Sequence, residues 1–219
     1  MSPDAPKGRA VLLVDGANGY RRFRDVGIEA NKLDLRKVAR ALAGPARTVV
    51  GIRYYTGKVE RSGNQLLFAH QQSLLSLLGK QGVQIRLGRV ESRTEANELA
   101  EQMLQFLAVP RPADLRLPED AYRALYAMAN THRRVTYWVQ KAVDTLLVAD
   151  LARMAADNEF DAAYVLSLDG DMTPGIEFAR SRGKKVFGTG PAGLNYQIRR
   201  ACDAFIVLDE ARLANCYLD

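Results

Sequence analysis

Ala10-Val-Leu-Leu-Val14 runs directly into Asp15-Gly16-Ala17-Asn18-Gly19. A short continuous apolar run closed at once by Asp, Gly and Asn suits a β-strand buried on both faces, the kind found inside parallel sheets. The switch from apolar to acidic places the Asp15 carboxylate at the rim of that strand. In an open parallel sheet, ligands bind beyond the carboxyl ends of the strands, where loops from separate strands converge.

The segments downstream extend the same pattern. Leu35, Val38, Ala39 and Leu42 share one face of a helix predicted over Leu33–Ala43, with Asn31 or Asp34 as its cap and Gly44-Pro45 as its stop. Thr48–Tyr55 predicts a second strand, and a second helix opens at Ser62, reaches Leu78 and closes at Gly79 or Gly82. Val83–Val90 alternates apolar and polar residues as a third strand. After 138 the alternation resumes with a helix from Gln140 to Asn158, apolar around most of its circumference and so expected to be buried. A strand over Ala163–Leu168, a helix through Arg182, a strand over Lys185–Gly188, a helix from Gly193 to Arg200, a strand over Ala204–Leu208 and a final helix complete the chain. Strands alternating with helices imply right-handed crossovers and a mainly parallel sheet, hence an α/β fold.

Residues 91–138 interrupt this order. They are polar, punctuated by Pro110, Pro112 and Pro118, and predict two helices over about 95–107 and 118–131. The segment is too short for a sizeable core of its own. It reads as a helical insertion within a single domain spanning residues 1–219.

Composition limits the function classes. With 219 residues, 47% hydrophobic and 26% charged, the chain has ordinary globular make-up, which excludes global disorder. No apolar run approaches the ~20 residues of a membrane helix, and the polar Met1–Arg9 tail lacks the apolar region of a secretory signal. Cys202 and Cys216 form no CxxC pair and read as reduced thiols of a cytoplasmic protein. His70 and His132 lie in unrelated segments, a poor basis for a histidine metal site or a Ser-His-Asp triad. The net charge is +6, carried by 23 Arg and 8 Lys. Arg grips phosphate through two parallel hydrogen bonds, so this balance suits a polyanion, although +6 also simply favours solubility.

The acidic residues concentrate where chemistry is expected. Asp15 follows the first strand, Asp169 and Asp171 follow the fourth, and Asp144 falls in the first turn of the intervening helix, with Lys141 three residues earlier on nearly the same face. Carboxylates gathered at one sheet end repel one another unless a cation or proton intervenes. Mg²⁺ and Mn²⁺ prefer such hard oxygen ligands and keep waters that a phosphate can displace. Structural roles stand beside these. Asp15-Gly16 also suits a turn, and Asp171 or Thr173 suits a helix cap ahead of Pro174. Asp150, on another face of the same helix as Asp144, reads as a hydrogen-bonded or ion-paired buried carboxylate. Arg21, Arg22 and Arg24 suit either a solvated loop or phosphate contact.

Taken in order, Val14-Asp15-Gly-Ala-Asn18, Lys141-Ala-Val-Asp144 with Asp150, and Ser167-Leu-Asp169-Gly-Asp171-Met-Thr-Pro174 resemble the NYN domain, nearest its LabA-like (DUF88) branch and related to PIN-domain nucleases. Gly183–Gly188 and Cys202–Leu208 continue the likeness, which covers roughly residues 10–90 and 139–210. The resemblance implies a three-layer PIN-like sandwich that binds Mg²⁺ or Mn²⁺ and cleaves RNA. Asp15, Asp144, Asp169 and Asp171 would form the acidic, metal-holding set. Asn18, Lys141, Ser167, Thr173, Arg21 and Arg22 would orient phosphate or support the acids. Leu168 stands where the family has glycine, and that side chain is expected to crowd a close approach of phosphate. Met172 replaces the usual aromatic at a packing position.

Three other readings compete. A non-catalytic RNA-binding or regulatory module keeps the acids and binds through Arg. An aspartyl phosphatase of the haloacid dehalogenase kind needs a second Asp two residues after the nucleophile, where this chain has Ala17. Dinucleotide binding needs a GxGxxG turn that Gly16-Ala-Asn-Gly19 does not supply. The oligomeric state is left open, a homo-oligomer included.

Overall fold

The computed structural model describes residues 8–61, 64–110, 116–192 and 198–218. Ser62, Pro112, the first seven residues of the polar tail and residues 193–197 of the helix expected from Gly193 lie outside the described residues. The fold is α/β, built on a seven-stranded sheet of order β4-β3-β2-β1-β5-β6-β7. The strands are β1 (Gly8–Asp15), β2 (Arg47–Lys58), β3 (Gln84–Ala96), β4 (Arg134–Lys141), β5 (Ala162–Leu166), β6 (Lys185–Gly190) and β7 (Ala204–Val207). The pairs β1–β2, β1–β5, β2–β3, β5–β6 and β6–β7 are parallel.

The chain divides into two compact units, residues 1–90 with 140–219, and residues 91–139. In the first, β1 serves two cores at once. Ala10, Leu12 and Val14 point to one side, with Phe23 of α1 (Gly16–Asp25), Leu35, Val38 and Leu42 of α2 (Leu35–Ala43) and Leu78 of α3 (Gln65–Lys80). Val11 and Leu13 point to the other, with Leu147 and Leu151 of α6 (Val143–Ala156), Ile176 of α7 (Thr173–Ser181) and Ile198 of α8 (Ile198–Ala201). Tyr164 and Leu166 of β5 join the first core, Ala163 and Val165 the second. Period-two alternation between two apolar environments is why the central strands read as unbroken hydrophobic runs. A last helix, α9 (Glu210–Leu213), adds Leu213 to the first core.

The second unit holds α4 (Glu98–Ala108), α5 (Glu119–Thr131), the end of β3 and most of β4. Asn97 N–H donates to the Arg133 carbonyl at 2.9 Å, and the Thr94 and Thr136 hydroxyls bond at 2.8 Å, so its strand segments run antiparallel. Arg133 Nε donates to the Glu101 carboxylate at 2.7 Å.

Several sequence expectations need correction. Residues 16–25 form helix α1, not a turn and solvated loop; Asp15 is its N-cap, accepting from Asn18 N–H. Gly8 and Arg9 belong to β1 rather than to the tail. Residues 95 and 96 extend β3 instead of opening a helix, and 134–141 form a strand that the sequence reading did not contain. Lys141 therefore ends β4, and the left-handed Ala142 (φ 65°) separates it from α6, so Lys141 and Asp144 do not share a helical face. Asp34 caps α2, satisfying Arg36 and Lys37 N–H, and Gly44 takes the positive φ that ends it. Ahead of α7, the cap on the short 3₁₀ turn Gly170–Met172 is Asp169, accepting from Asp171 N–H, rather than Asp171 or Thr173.

Candidate functional site

The strand order runs outward through β2 and β3 on one side of β1, and through β5, β6 and β7 on the other. Chain order thus reverses between β1 and β5, and the crevice outside the carboxyl ends at such a reversal is the usual ligand position in these sheets. Asp15 ends β1 there, and Ser167 to Asp169 follow β5. An open cleft of about 350 Å³ is lined by Asp15, Asn18, Arg21, Gln140, Asp144 and Asp169, with Ala17 and Val143.

Asp15 is buried, yet fully engaged. One carboxylate oxygen accepts from Asn18 N–H at 3.1 Å and the other from Ser167 Oγ–H at 3.1 Å. Ser167, wholly buried, also accepts from Asp169 N–H at 3.3 Å, and Asn18 Oδ1 accepts from Leu168 N–H at 3.4 Å. These four bonds lace the β1–α1 junction to the end of β5. Burial pushes the Asp15 carboxyl up to about 6, and the negative charges of Asp144 and Asp169 add to the shift, against the hydrogen bonds from Asn18 and Ser167. Burial likewise raises Asp144, with Asp169 and Asp171 adding repulsion. Asp15 and Asp144 both feel the charge of Asp169, and of the four acids Asp15, Asp144 and Asp169 line the cleft while Asp171 is exposed.

Glycines set this geometry. A Cβ on Gly16 would fall 2.4 Å from the Tyr54 ring, and one on Gly19 2.5 Å from Leu166, so α1 can lie close on the sheet only with glycine at both positions. A Cβ on Gly88 of β3 would fall 2.5 Å from the Lys141 carbonyl, so glycine there lets the turn into α6 descend and carry Asp144 to the cleft. Leu168 does not crowd the cleft as expected. It is buried with its Cδ2 over Gly190, 2.6 Å from where a Cβ would stand, and it is absent from the cleft lining. Met172 is fully buried in the core, in line with a packing position.

The remaining residues named from sequence are dispersed. Arg21 lines the cleft, whereas Arg22 turns to Asp25 at 3.9 Å. Lys141 and Thr173 are half-buried and outside the lining. Asp150 is a structural carboxylate: it takes Arg86 at 2.9 and 3.0 Å, Arg53 at 3.2 Å and the Tyr55 hydroxyl at 3.0 Å. Gln140 was missed by sequence reading. It lines the cleft and accepts from Gly57 N–H at 3.1 Å, a role that depends on β4, which the sequence did not disclose.

The NYN domain family model matches residues 9–209. The chain belongs to the NYN domain family. Its members are PIN-like nuclease-type domains, and the fold agrees. A crystal structure of a protein of unknown function from Vibrio parahaemolyticus aligns with a TM-score of 0.53 at 18% identity, covering 96% of this chain and 98% of that one. At that identity the likeness bears on fold alone. No curated protein matches the chain.

The NYN assignment makes divalent metal the cofactor to test against the site. The donors are all hard oxygens, and their mutual repulsion is what a cation would relieve. Among the described residues, no three acidic, histidine or cysteine side chains come together closely enough to enclose an ion. Among the described residues no helix is long and apolar enough to cross a membrane.

Proposed function

We propose that this NYN domain is a metal-dependent ribonuclease that hydrolyses RNA phosphodiester bonds in the cleft between β1 and β5, and that it belongs to the LabA-like branch. The observation that carries the reading is Asp15, buried at the point where strand order reverses and sharing its field with Asp144 and Asp169. Asp15, Asp144 and Asp169 would hold Mg²⁺ or Mn²⁺, with Asp171 adding charge at the rim. The ion would supply charge neutralisation at the scissile phosphate and a nucleophile from bound water.

The chain's own residues supply position. Asn18 spends its carbonyl on Leu168 N–H, leaving its NH₂ for a phosphate oxygen in the cleft that it lines. Arg21 offers a fork one helical turn from Asn18. Ser167 holds Asp15 and Asp169 in register, acting through them rather than on substrate. Lys141, Arg22 and Thr173 fall outside the lining and act, if at all, on RNA reaching past it. Two free, buried cysteines suit a reducing, cytoplasmic setting.

The experiment is Mn²⁺- or Mg²⁺-dependent cleavage of single-stranded RNA by wild type, Asp15→Asn and Asp169→Asn. Cleavage should require the metal and vanish in both variants, with the circular dichroism spectrum retained. Products that persist in EDTA or in both variants would sink the proposal. The net charge of +6, carried by 23 Arg and 8 Lys, supports a second reading, an RNA-binding module with little or no turnover. Tight, salt-sensitive RNA binding without metal-dependent products would select it.

A further inference from the structure

Among the described residues, three side chains of the cleft lining can donate to an anion: Asn18, Arg21 and Gln140. Gln140 stands near the end of β4, on a foundation built around a glycine. A Cβ on Gly57 of β2 would fall 3.0 Å from Gln140 Cγ and 2.6 Å from Val90 Cγ2, so the glutamine can settle over β2 because Gly57 has no side chain. Gly57 N–H then donates to Gln140 Oε1 at 3.1 Å. From α3, Gln71 Nε2 donates to the Gly57 carbonyl at 2.7 Å, and Gln71 Oε1 accepts from Val59 N–H at 2.9 Å. Both polar groups of Gly57 are thus held by glutamine side chains, which fixes the anchor beneath Gln140.

The Gly57 bond decides which way the Gln140 amide faces. A backbone N–H can only donate, so the atom it meets is the carbonyl oxygen, and the NH₂ is what Gln140 still has to offer. Among the described residues that NH₂ donates to no other group. Asn18 is turned in the same way, with its Oδ1 accepting from Leu168 N–H at 3.4 Å. Two carboxamides on separate elements therefore have their acceptors engaged by backbone. A carboxamide reads a base edge by presenting donor and acceptor together, as glutamine does to adenine. With the acceptor engaged, only N–H groups remain, and these suit the anionic oxygen that every nucleotide carries on its phosphate.

We infer that Gln140 binds a phosphate oxygen of the RNA strand in the cleft and that, with Asn18, it makes recognition there independent of base sequence. The inference rests on the reading that RNA occupies this cleft, and it holds whether or not the strand is cut. Charge favours an amide at this place. Asp15, Asp144 and Asp169 line the same cleft, so a lysine or arginine at 140 would be drawn to the acids and compete with a metal ion for them. A neutral donor grips phosphate without that competition.

The test is fluorescence anisotropy of short labelled oligo(U) and oligo(A) RNA with the full chain, at low salt in Ca²⁺, a hard cation that takes oxygen ligands. A denaturing gel of the same samples reports cleavage separately. Gln140→Met removes donor and acceptor without adding charge, whereas Gln140→Glu keeps an acceptor for Gly57 N–H and removes the donors. Each should weaken binding about tenfold, by the same factor on both RNAs, with circular dichroism retained. Gln71→Met disturbs the same glycine from outside the cleft lining and should leave affinity unchanged. Wild-type affinity in Gln140→Glu would overturn the inference, because only the Gly57 bond would then matter. So would a loss in Gln140→Glu alone, an equal loss in Gln71→Met, a loss confined to one sequence, or a wild type that binds neither RNA. A wild type that binds both without cutting them, weakened by both Gln140 substitutions, would uphold the inference while the ribonuclease reading failed.

Discussion

In the unit formed by residues 1–90 and 140–219, α6 takes Leu147 and Leu151 to zero exposure, while in residues 91–139 Leu99 and Phe106 of α4 remain more than half exposed. Ion pairs divide in the same way. Asp150 is buried among Arg53, Arg86 and Tyr55, whereas Glu101 meets Arg133 on a solvated surface. The difference teaches where each unit puts its free energy. The first has a two-sided core and tolerates an unfavourable buried carboxylate, Asp15, at the end of its central strand. The second keeps little for itself and offers its apolar surface outward. Acids in the first unit are therefore expected to affect chemistry or folding, and acids in the second to affect neither strongly.

The sharpest contrast is catalytic. Asp144→Asn should lower metal-dependent RNA cleavage about 10³-fold, on the order of 4 kcal/mol of barrier, while Glu101→Gln leaves it within about twofold. Equal losses in initial-rate assays would erase the distinction between the units. Next in size is the ion-pair comparison. Asp150→Ala removes the carboxylate shared by Arg86, Tyr55 and the 12%-exposed Arg53, leaving Arg53 with Glu159 alone, and should cost about 3 kcal/mol in urea unfolding. Glu101→Ala should cost under about 1 kcal/mol.

Packing gives the third comparison. Leu151→Ala should lose about 3 kcal/mol, and the exposed Leu99→Ala about 0.5 kcal/mol or less. Similar losses would mean that α4 is packed as firmly as α6.

The smallest effect is on pH dependence. Asp15 titrates at about 6 in the fold against 3.8 ordinarily, so the folded state binds that proton more tightly than the unfolded one. Its contribution to stability is therefore full below about pH 4 and lost as pH rises through 6, by about 3 kcal/mol in all and about 2 kcal/mol of it between pH 4.5 and 7. In metal-free buffer, Asp15→Asn should flatten the slope of unfolding free energy between pH 4.5 and about 7. A slope unchanged by the substitution would show that Asp15 is solvated like an ordinary surface acid.

The sequence disclosed the first unit better than the second, for physical reasons. Ala10–Val14 and Ala163–Leu166 are apolar because both faces of their strands are buried, so the sheet and the place of Asp15 were legible. Helix α1 was not, because it opens with the glycines that Tyr54 and Leu166 demand and buries only Phe23 besides Gly16 and Gly19. Strand β4 was hidden because Val135, Tyr137 and Trp138 are all exposed, leaving no period-two pattern to separate one face from the other. That omission carried Lys141 and Gln140 into a helix they do not occupy. The Leu168 concern failed for want of a partner: nothing near it in sequence announces that Gly190 makes room for its side chain.

Gly88 has a further consequence. The turn that delivers Asp144 rests its Lys141 carbonyl where a methyl group at Gly88 would be, on a strand two removed from β1. Among the residues that determine where the acidic cluster points, one has no side chain, no charge and no polar group beyond its backbone. A variant survey guided by chemical type would pass over it. A single added carbon there would tilt the entry to α6 and move a carboxylate without altering any ionisable group, so the aim of the cleft is as vulnerable to volume as it is to charge.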